Sequence, residues 1–294
     1  MDVFEELNTF RVLAREGTIT GAANALGVAP SAVSRRLKAL EDRLGTQLVG
    51  RDTRRLVLTA YGQRYLRGAE RVLADLDALE ESVREASGTI SGAIRVTAPL
   101  SFGVSALPDV LSAFMTQHPA VEIDLDLSDT AQDLVGGGFD LALRIGTLAS
   151  SSLVARKLCE VPFALTASPD FAEARGPFRT PSELEGLPIL AYSGAPRGEV
   201  VSWRDGTEEG QVRLRPVLQA NNGDLLTALA ERGLGIAFGP RFIAKAGIDA
   251  GRLTEILPGT DWPGAALYAV RPPSDHVPAR LRALIDHLAE ALGR

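Results

Sequence analysis

At 294 residues and 45% apolar, the chain can bury two or three cores, and its formal charge of −6 leaves it unsuited to hold a polyanion except where cations are gathered locally. Three widely separated histidines (His118, His276, His287) and the single Cys159 give no metal-ligand spacing, and a lone thiol fits a reducing compartment. No apolar run is long enough to cross a membrane, and no repeat or low-complexity tract is present.

The N-terminus reads as an amphipathic, charged helix in which Val3, Leu7, Phe10 and Ala14 share a face, unlike a secretory leader. The segment from Gly17 to Arg64 then carries the clearest signal. Thr20 is placed to cap a short helix through Gly21 to Leu26, which Gly27 ends. A second helix begins near Pro30, where the missing N–H costs nothing, and runs to Leu44 before Gly45. Val33, Leu37, Leu40 and Leu44 recur at helical spacing as a buried stripe, which sends Ser31, Ser34, Arg35 and Lys38 to the opposite side. Hydroxyls and cations at the N-terminal end of a solvent-facing helix suit base edges and phosphates.

Leu48 to Leu58 follows as two short apolar strands around a turn that includes Arg51, Thr53, Arg54 and Arg55, the profile of a wing. From Ser31 to Arg64 there are eight Lys or Arg against three acids, inside an acidic chain; an ordinary helical hairpin with a solvated face is the alternative, and this local charge argues against it. Beyond the wing, Tyr65, Ala69, Val72, Leu76, Leu79, Val83 and Ala86 alternate steps of four and three, a heptad seam suited either to a partner helix or to the helix's own domain. Ser87 to Gly92, small and polar, marks a boundary.

The remaining 200 or so residues alternate between the two periodicities. Strands are expected over Ala93–Ala98, Val121–Ser128, Phe139–Ile145 and Gly235–Phe238, and helices over Val104–Gln117, Thr130–Gly136 and Asp224–Arg232. Leu153–Thr166 and Ala265–Arg271 are extended runs able to serve as two crossovers between lobes. The alternation predicts parallel sheets covered by helices, with a cleft where the lobes meet.

Ala22-Ala23, Leu26-Gly27-Val28, Ser31-Ala32-Val33-Ser34, Leu40-Glu41, Leu44-Gly45, Leu48, Arg51, Arg54 and Leu58-Thr59 resemble the winged helix-turn-helix of LysR-type transcriptional regulators. Ala98 to Gly103, Gly138 to Gly146 and Gly233 to Ala237 resemble the co-inducer domain of the same family, which has the fold of type 2 periplasmic binding proteins. The departure is Ala29-Pro30, where many members carry Ser or Thr followed by Gln, so a usual cap and a base-reading amide are absent.

The resemblance implies an α/β chain with a winged helix-turn-helix over residues 1–59, a linker and dimerisation helix over 60–87 and a two-lobed effector domain over 93–294. It implies a cytoplasmic regulator that binds double-stranded promoter DNA as a homodimer paired through the linker, with tetramers common among members. Neither a cofactor nor a metal nor catalysis is expected. DNA-contacting candidates are Thr20, Ser31, Ser34, Arg35, Lys38, Arg51, Thr53 and Arg54.

For the cleft, Leu100-Ser101-Phe102 lie where a strand hands over to a helix, and free amides there favour an anion. Arg144 is open to a carboxylate or to a structural ion pair, Asn221 and Asn222 to a ligand or to a helix cap, and Trp203 to the pocket or to the second lobe's core. Ser128 and Gly146 complete the candidates. The expected ligand is a small molecule, a carboxylate for preference. A solute-binding protein of a transport system is the alternative class, and it would require a secretory signal.

Overall fold

The computed structural model describes residues 2–51, 56–85, 90–130, 132–146, 152–193, 200–274 and 277–293. Two compact units result, one built mainly from residues 1–90 and the other from 91–134, 139–273 and 280–294.

The first unit starts with α1 (Val3–Glu16), capped by the Asp2 carboxylate and ended by Gly17 in the left-handed region. Leu7, Phe10, Val12 and Leu13 are buried, whereas Val3, expected on the apolar face, is exposed. In α2 (Ile19–Leu26) the capping hydroxyl is that of Thr18, which accepts from the Gly21 amide; the cap expected at Thr20 lies two residues earlier because Ile19 already belongs to the helix. Next comes α3 (Pro30–Leu44), with Pro30 in its first turn and Gly45 closing it at φ 65°. Val33 and Leu40 are fully buried, but Leu44 is exposed and does not extend the stripe. Strands β1 (Val49–Arg51) and β2 (Leu56–Leu58) pair antiparallel as the expected hairpin. Thr53, Arg54 and Arg55 of its turn lie outside the described residues, as does the side chain of Arg51.

The hairpin is tied down at both ends. Glu41 of α3 accepts from the amides of Leu48 and Val49, and the Leu56 amide donates to Gly17. The final helix of this unit, α4 (Ala60–Glu85), begins at Thr59, whose hydroxyl accepts from the Gly62 amide. Gly62 is required by close approach, since a Cβ there would sit 2.0 Å from the Leu48 carbonyl oxygen. Tyr65, Ala69 and Leu73 of α4 pack with Leu7 of α1, while Val72 and Leu79 are exposed. The expected seam thus divides. A straight helix drifts from a 3.5-residue repeat, and the residue buried after Ala69 is Leu73, four positions on.

The second unit comprises β3 (Gly92–Ala98), α5 (Leu100–Ser105), α6 (Leu107–Gln117), β4 (Val121–Leu127), β5 (Leu141–Gly146), β6 (Val154–Val161), β7 (Phe163–Ala167), α7 (Pro169–Arg175), β8 (Pro188–Tyr192), β9 (Val200–Asp205), β10 (Glu208–Arg213), β11 (Arg215–Ala220), α8 (Gly223–Ala230), β12 (Ile236–Pro240), α9 (Arg241–Asp249), β13 (Thr254–Glu255), β14 (Ala265–Arg271) and α10 (Ala279–Leu292). Two five-stranded sheets carry the lobes, in the orders β4-β3-β5-β14-β6 and β11-β8-β12-β7-β13. Each has its own apolar centre: Ile94, Leu141 and Leu267 lie buried in the first, Leu165, Ile189 and Ile236 in the second.

Several expectations need correction. The helix over Val104–Gln117 is two helices meeting at Ala106 and Leu107, because Pro108 starts a new first turn. No helix forms among the described residues of 130–136, where turns over 134–138 take its place and three consecutive glycines offer no helical preference. The extended run Leu153–Thr166 is broken at Pro162, so β6 completes the first sheet and β7 enters the second. That crossover is as expected. Ala265–Arg271, however, lies wholly within the first sheet, and the return passes through the preceding residues 256–264. Nor are the sheets all parallel: β14 runs antiparallel to β5 and β6, and β12 and β13 antiparallel to β7. A chain that visits each sheet twice brings in such strands without an intervening helix.

Candidate DNA interface and effector cavity

Ser31, Ser34, Arg35 and Lys38 are all exposed on α3, with Val33 and Leu40 buried behind them. Ser34 also donates to the Pro30 carbonyl, which holds its hydroxyl against the helix. Thr20 is exposed in the first turn of α2. Arg36, between two exposed neighbours, is instead spent on the fold: it is ion-paired with Glu5 and donates to the Thr9 hydroxyl. Arg43 pairs with the buried Glu6 at 2.7 Å, and hydrogen bonds to Glu6 and Tyr65 push its pKa further up. The cations of α3 therefore divide into two that brace α1 and two that face water.

In the second unit a cavity of about 660 Å³ opens between the two sheets, lined by residues of both. Ser101, Phe102, Ser128 and Arg144 line it; Leu100, Gly146, Trp203, Asn221 and Asn222 do not. Trp203 packs on the second lobe's core, against a cluster that includes Val201 and Val212, and Gly210 lies beneath its ring. Asn222 caps α8 by accepting from the Leu225 amide.

Part of the anion site expected at Leu100-Ser101 is taken by the chain itself, at the Leu100 amide and the Ser101 hydroxyl. One Asp129 oxygen accepts from the Leu100 amide at 3.0 Å and the other from the Asn222 side-chain amide at 3.1 Å. The Ser101 hydroxyl donates to Asp224 at 2.7 Å. Both lobes contribute to these bonds, and the Phe102 and Phe242 rings meet edge to face beside them. Ser128 accepts from the Thr130 amide and the Gln132 side chain.

Arg144 has a different standing. Its guanidinium donates to the Gln132 carbonyl at 2.6 Å, and among the described residues no acidic side chain pairs with it. Among the described residues only one of its five N–H groups is engaged in this way. Tyr192 also lines the cavity, and burial together with the charge of Asp129 pushes its pKa up, so its hydroxyl is a donor at neutral pH.

Residues 4–63 match the family model described as bacterial regulatory helix-turn-helix protein, lysR family, and residues 87–293 match the LysR substrate binding domain. The chain belongs to the LysR family of transcriptional regulators. It is 35% identical over 288 residues to the HTH-type transcriptional regulator PtxR of Pseudomonas aeruginosa, an alignment covering 98% of this chain and 92% of that one. Among solved structures, CrgA, a LysR-type regulator from Neisseria meningitidis, is 30% identical with a TM-score of 0.62, covering 99% of both chains. The full-length virulence activator AphB of Vibrio cholerae is 27% identical with the same TM-score and the same coverage of both chains.

A LysR-type regulator couples a DNA-binding helix-turn-helix to a binding domain, and in this one the sequence reading of that domain missed several groups. Asp129 and Asp224 were not among the candidates for the cleft, nor were Thr97 and Thr166, which line the cavity while being nine-tenths buried. Asp129 follows β4 by two residues and Asp224 sits in the first turn of α8, so strand and helix ends were the available signal. Thr97 and Thr166 carry no such signal, since threonine within an apolar run reads as an ordinary strand residue. No helix among the described residues is long and apolar enough to cross a membrane.

Proposed function

We propose that this regulator binds promoter DNA through the exposed row Ser31, Ser34, Arg35 and Lys38, with the hairpin turn around Arg54 on adjacent phosphates. In this reading residues 1–59 form the DNA-binding domain, 60–87 a helix that pairs two protomers in the cytoplasm, and 93–294 the effector domain. Two-fold pairing calls for an inverted-repeat operator.

The effector that modulates this binding is a small carboxylate, and the group that receives it is Arg144. The observation that carries the assignment is a guanidinium lining the cavity with no acidic partner among the described residues. A planar fork of donors takes a carboxylate in a bidentate manner, and partial burial strengthens the pair. Asp129 already accepts from the Leu100 amide, which supports Arg144 over that helix end as the receiver of the anion. Calorimetry with acetate, succinate and benzoate against ethylamine and glucose tests the reading: at least one acid should bind, and Arg144→Gln should weaken it at least tenfold. Binding only by the amine or the sugar would overturn it.

A further inference from the structure

The cavity holds two hydroxyls that the fold leaves unused. Thr97, on β3, and Thr166, on β7, are 5% and 2% exposed, line the cavity from opposite sheets, and make no side-chain hydrogen bond among the described residues. Neither hydroxyl oxygen is a buried atom without a partner, so each is open to the cavity, where a ligand oxygen can replace water as its hydrogen-bond partner. Thr97 pairs in register with Ala142, two residues before Arg144; Thr166 pairs with Ala237, next to Phe238. Around them the walls are aromatic. Phe102 and Phe242 meet edge to face with centroids 6.0 Å apart, and Phe163 and Phe238 do so at 5.3 Å.

We infer that the effector is an aromatic carboxylate bearing a ring oxygen, an inference that rests on the assignment of its carboxylate to Arg144. The ring packs against the phenylalanine faces and edges, and the oxygen substituent, able both to donate and to accept, bonds the Thr97 and Thr166 hydroxyls and so draws on both lobes at once. A cavity of about 660 Å³ is ample for such a molecule, and its mostly apolar lining with a few convergent polar groups is the usual design for one. Aliphatic acids satisfy Arg144 alone and leave the aromatic walls facing water.

The test is calorimetry on the full chain with benzoate, 3-hydroxybenzoate, 4-hydroxybenzoate, hexanoate and succinate. At least one hydroxybenzoate should bind about 3- to 10-fold more tightly than benzoate, the worth of one or two neutral hydrogen bonds, and both aliphatic acids more weakly still. In the Thr97→Val/Thr166→Val double variant, whose side chains keep their shape, the advantage of the hydroxyl should vanish. Thermal melting of the unliganded variant checks that it folds; should it not, the ranking of the five acids on the unaltered chain decides by itself. Tighter binding of hexanoate or succinate, or no binding by any ring acid, overturns this inference while a bound aliphatic acid still upholds the role of Arg144. Loss of every acid would remove both.

Discussion

Arg35 and Arg36 are neighbours in sequence and opposites in environment. Arg35 is exposed on α3, whereas Arg36 is half-buried between Glu5 and Thr9 of α1. Arg35→Ala should therefore cost about 1–3 kcal/mol of preference for operator over random duplex, as expected of a base contact, with little change in stability. Arg36→Ala should lower the unfolding midpoint of the helix-turn-helix and weaken binding to both DNAs alike. Competition titrations at fixed salt, with denaturation in parallel, separate the two; equal losses on both DNAs for Arg35→Ala would make it a phosphate contact.

Cys159 permits a second test at the same scale, because it is the chain's single thiol. Burial raises its pKa, the charge of Glu160 raises it further, and Lys157 only partly opposes them. The thiol form is thus favoured in the folded state. Alkylation by iodoacetamide should be slower than for a free thiol near pH 8 and keep accelerating at higher pH, because the thiolate is the nucleophile. The linkage has a fixed sign: the unfolded thiol ionises first, so this group's contribution to stability is intact below the ordinary thiol range and falls as pH rises through it. A reaction as fast as that of a small free thiol at pH 8 would contradict the burial.

At the scale of elements, α4 presents two kinds of apolar residue. Leu73 is buried against α1, and its replacement by Ala should destabilise the protomer by about 2–4 kcal/mol in chemical denaturation. Val72 is 45% exposed within the protomer, so Val72→Asp should leave the fold intact. If two protomers pair along this helix, the same substitution places a charge in their interface and should dissociate the dimer in sedimentation. An unchanged oligomer would assign pairing to another surface.

The periodic signal made α4 legible as a helix and left its inward face ambiguous by one position, because heptad counting selects Val72 where straight-helix geometry selects Leu73. The helices of the helix-turn-helix were plainer, each ending at a glycine with positive φ. Less legible was the hairpin of β9 and β10, whose only strong cue is Gly206, at φ 58°, in the two-residue turn Gly206-Thr207. Strand direction in the two sheets was not legible at all, since it depends on where the chain re-enters each sheet rather than on any local pattern. In the site, Arg144 could be read as a cation at the end of a strand, but the capture of the Leu100 amide by Asp129 joins residues 29 apart, and no local rule foretells it.

For the whole molecule, the charge distribution and the proposed pairing make a joint prediction. An acidic chain that gathers eight Lys or Arg between Ser31 and Arg64 offers DNA one attractive segment per protomer, and that segment sets the salt dependence of binding. Each neutralised phosphate contributes about −0.9 to the slope of log K against log salt, so a dimer making about 6–10 phosphate contacts should show a slope between about −5 and −9. The dimer-breaking Val72→Asp variant should retain half of that slope, because one protomer brings half of the contacts, and its affinity should fall at every salt concentration tested. Were the affinity to fall with the slope unchanged, the variant would be reducing the fraction of competent protein rather than the number of contacts. A full slope in a demonstrably monomeric variant would place all the phosphate contacts on one protomer and dismiss the two-fold reading of the operator.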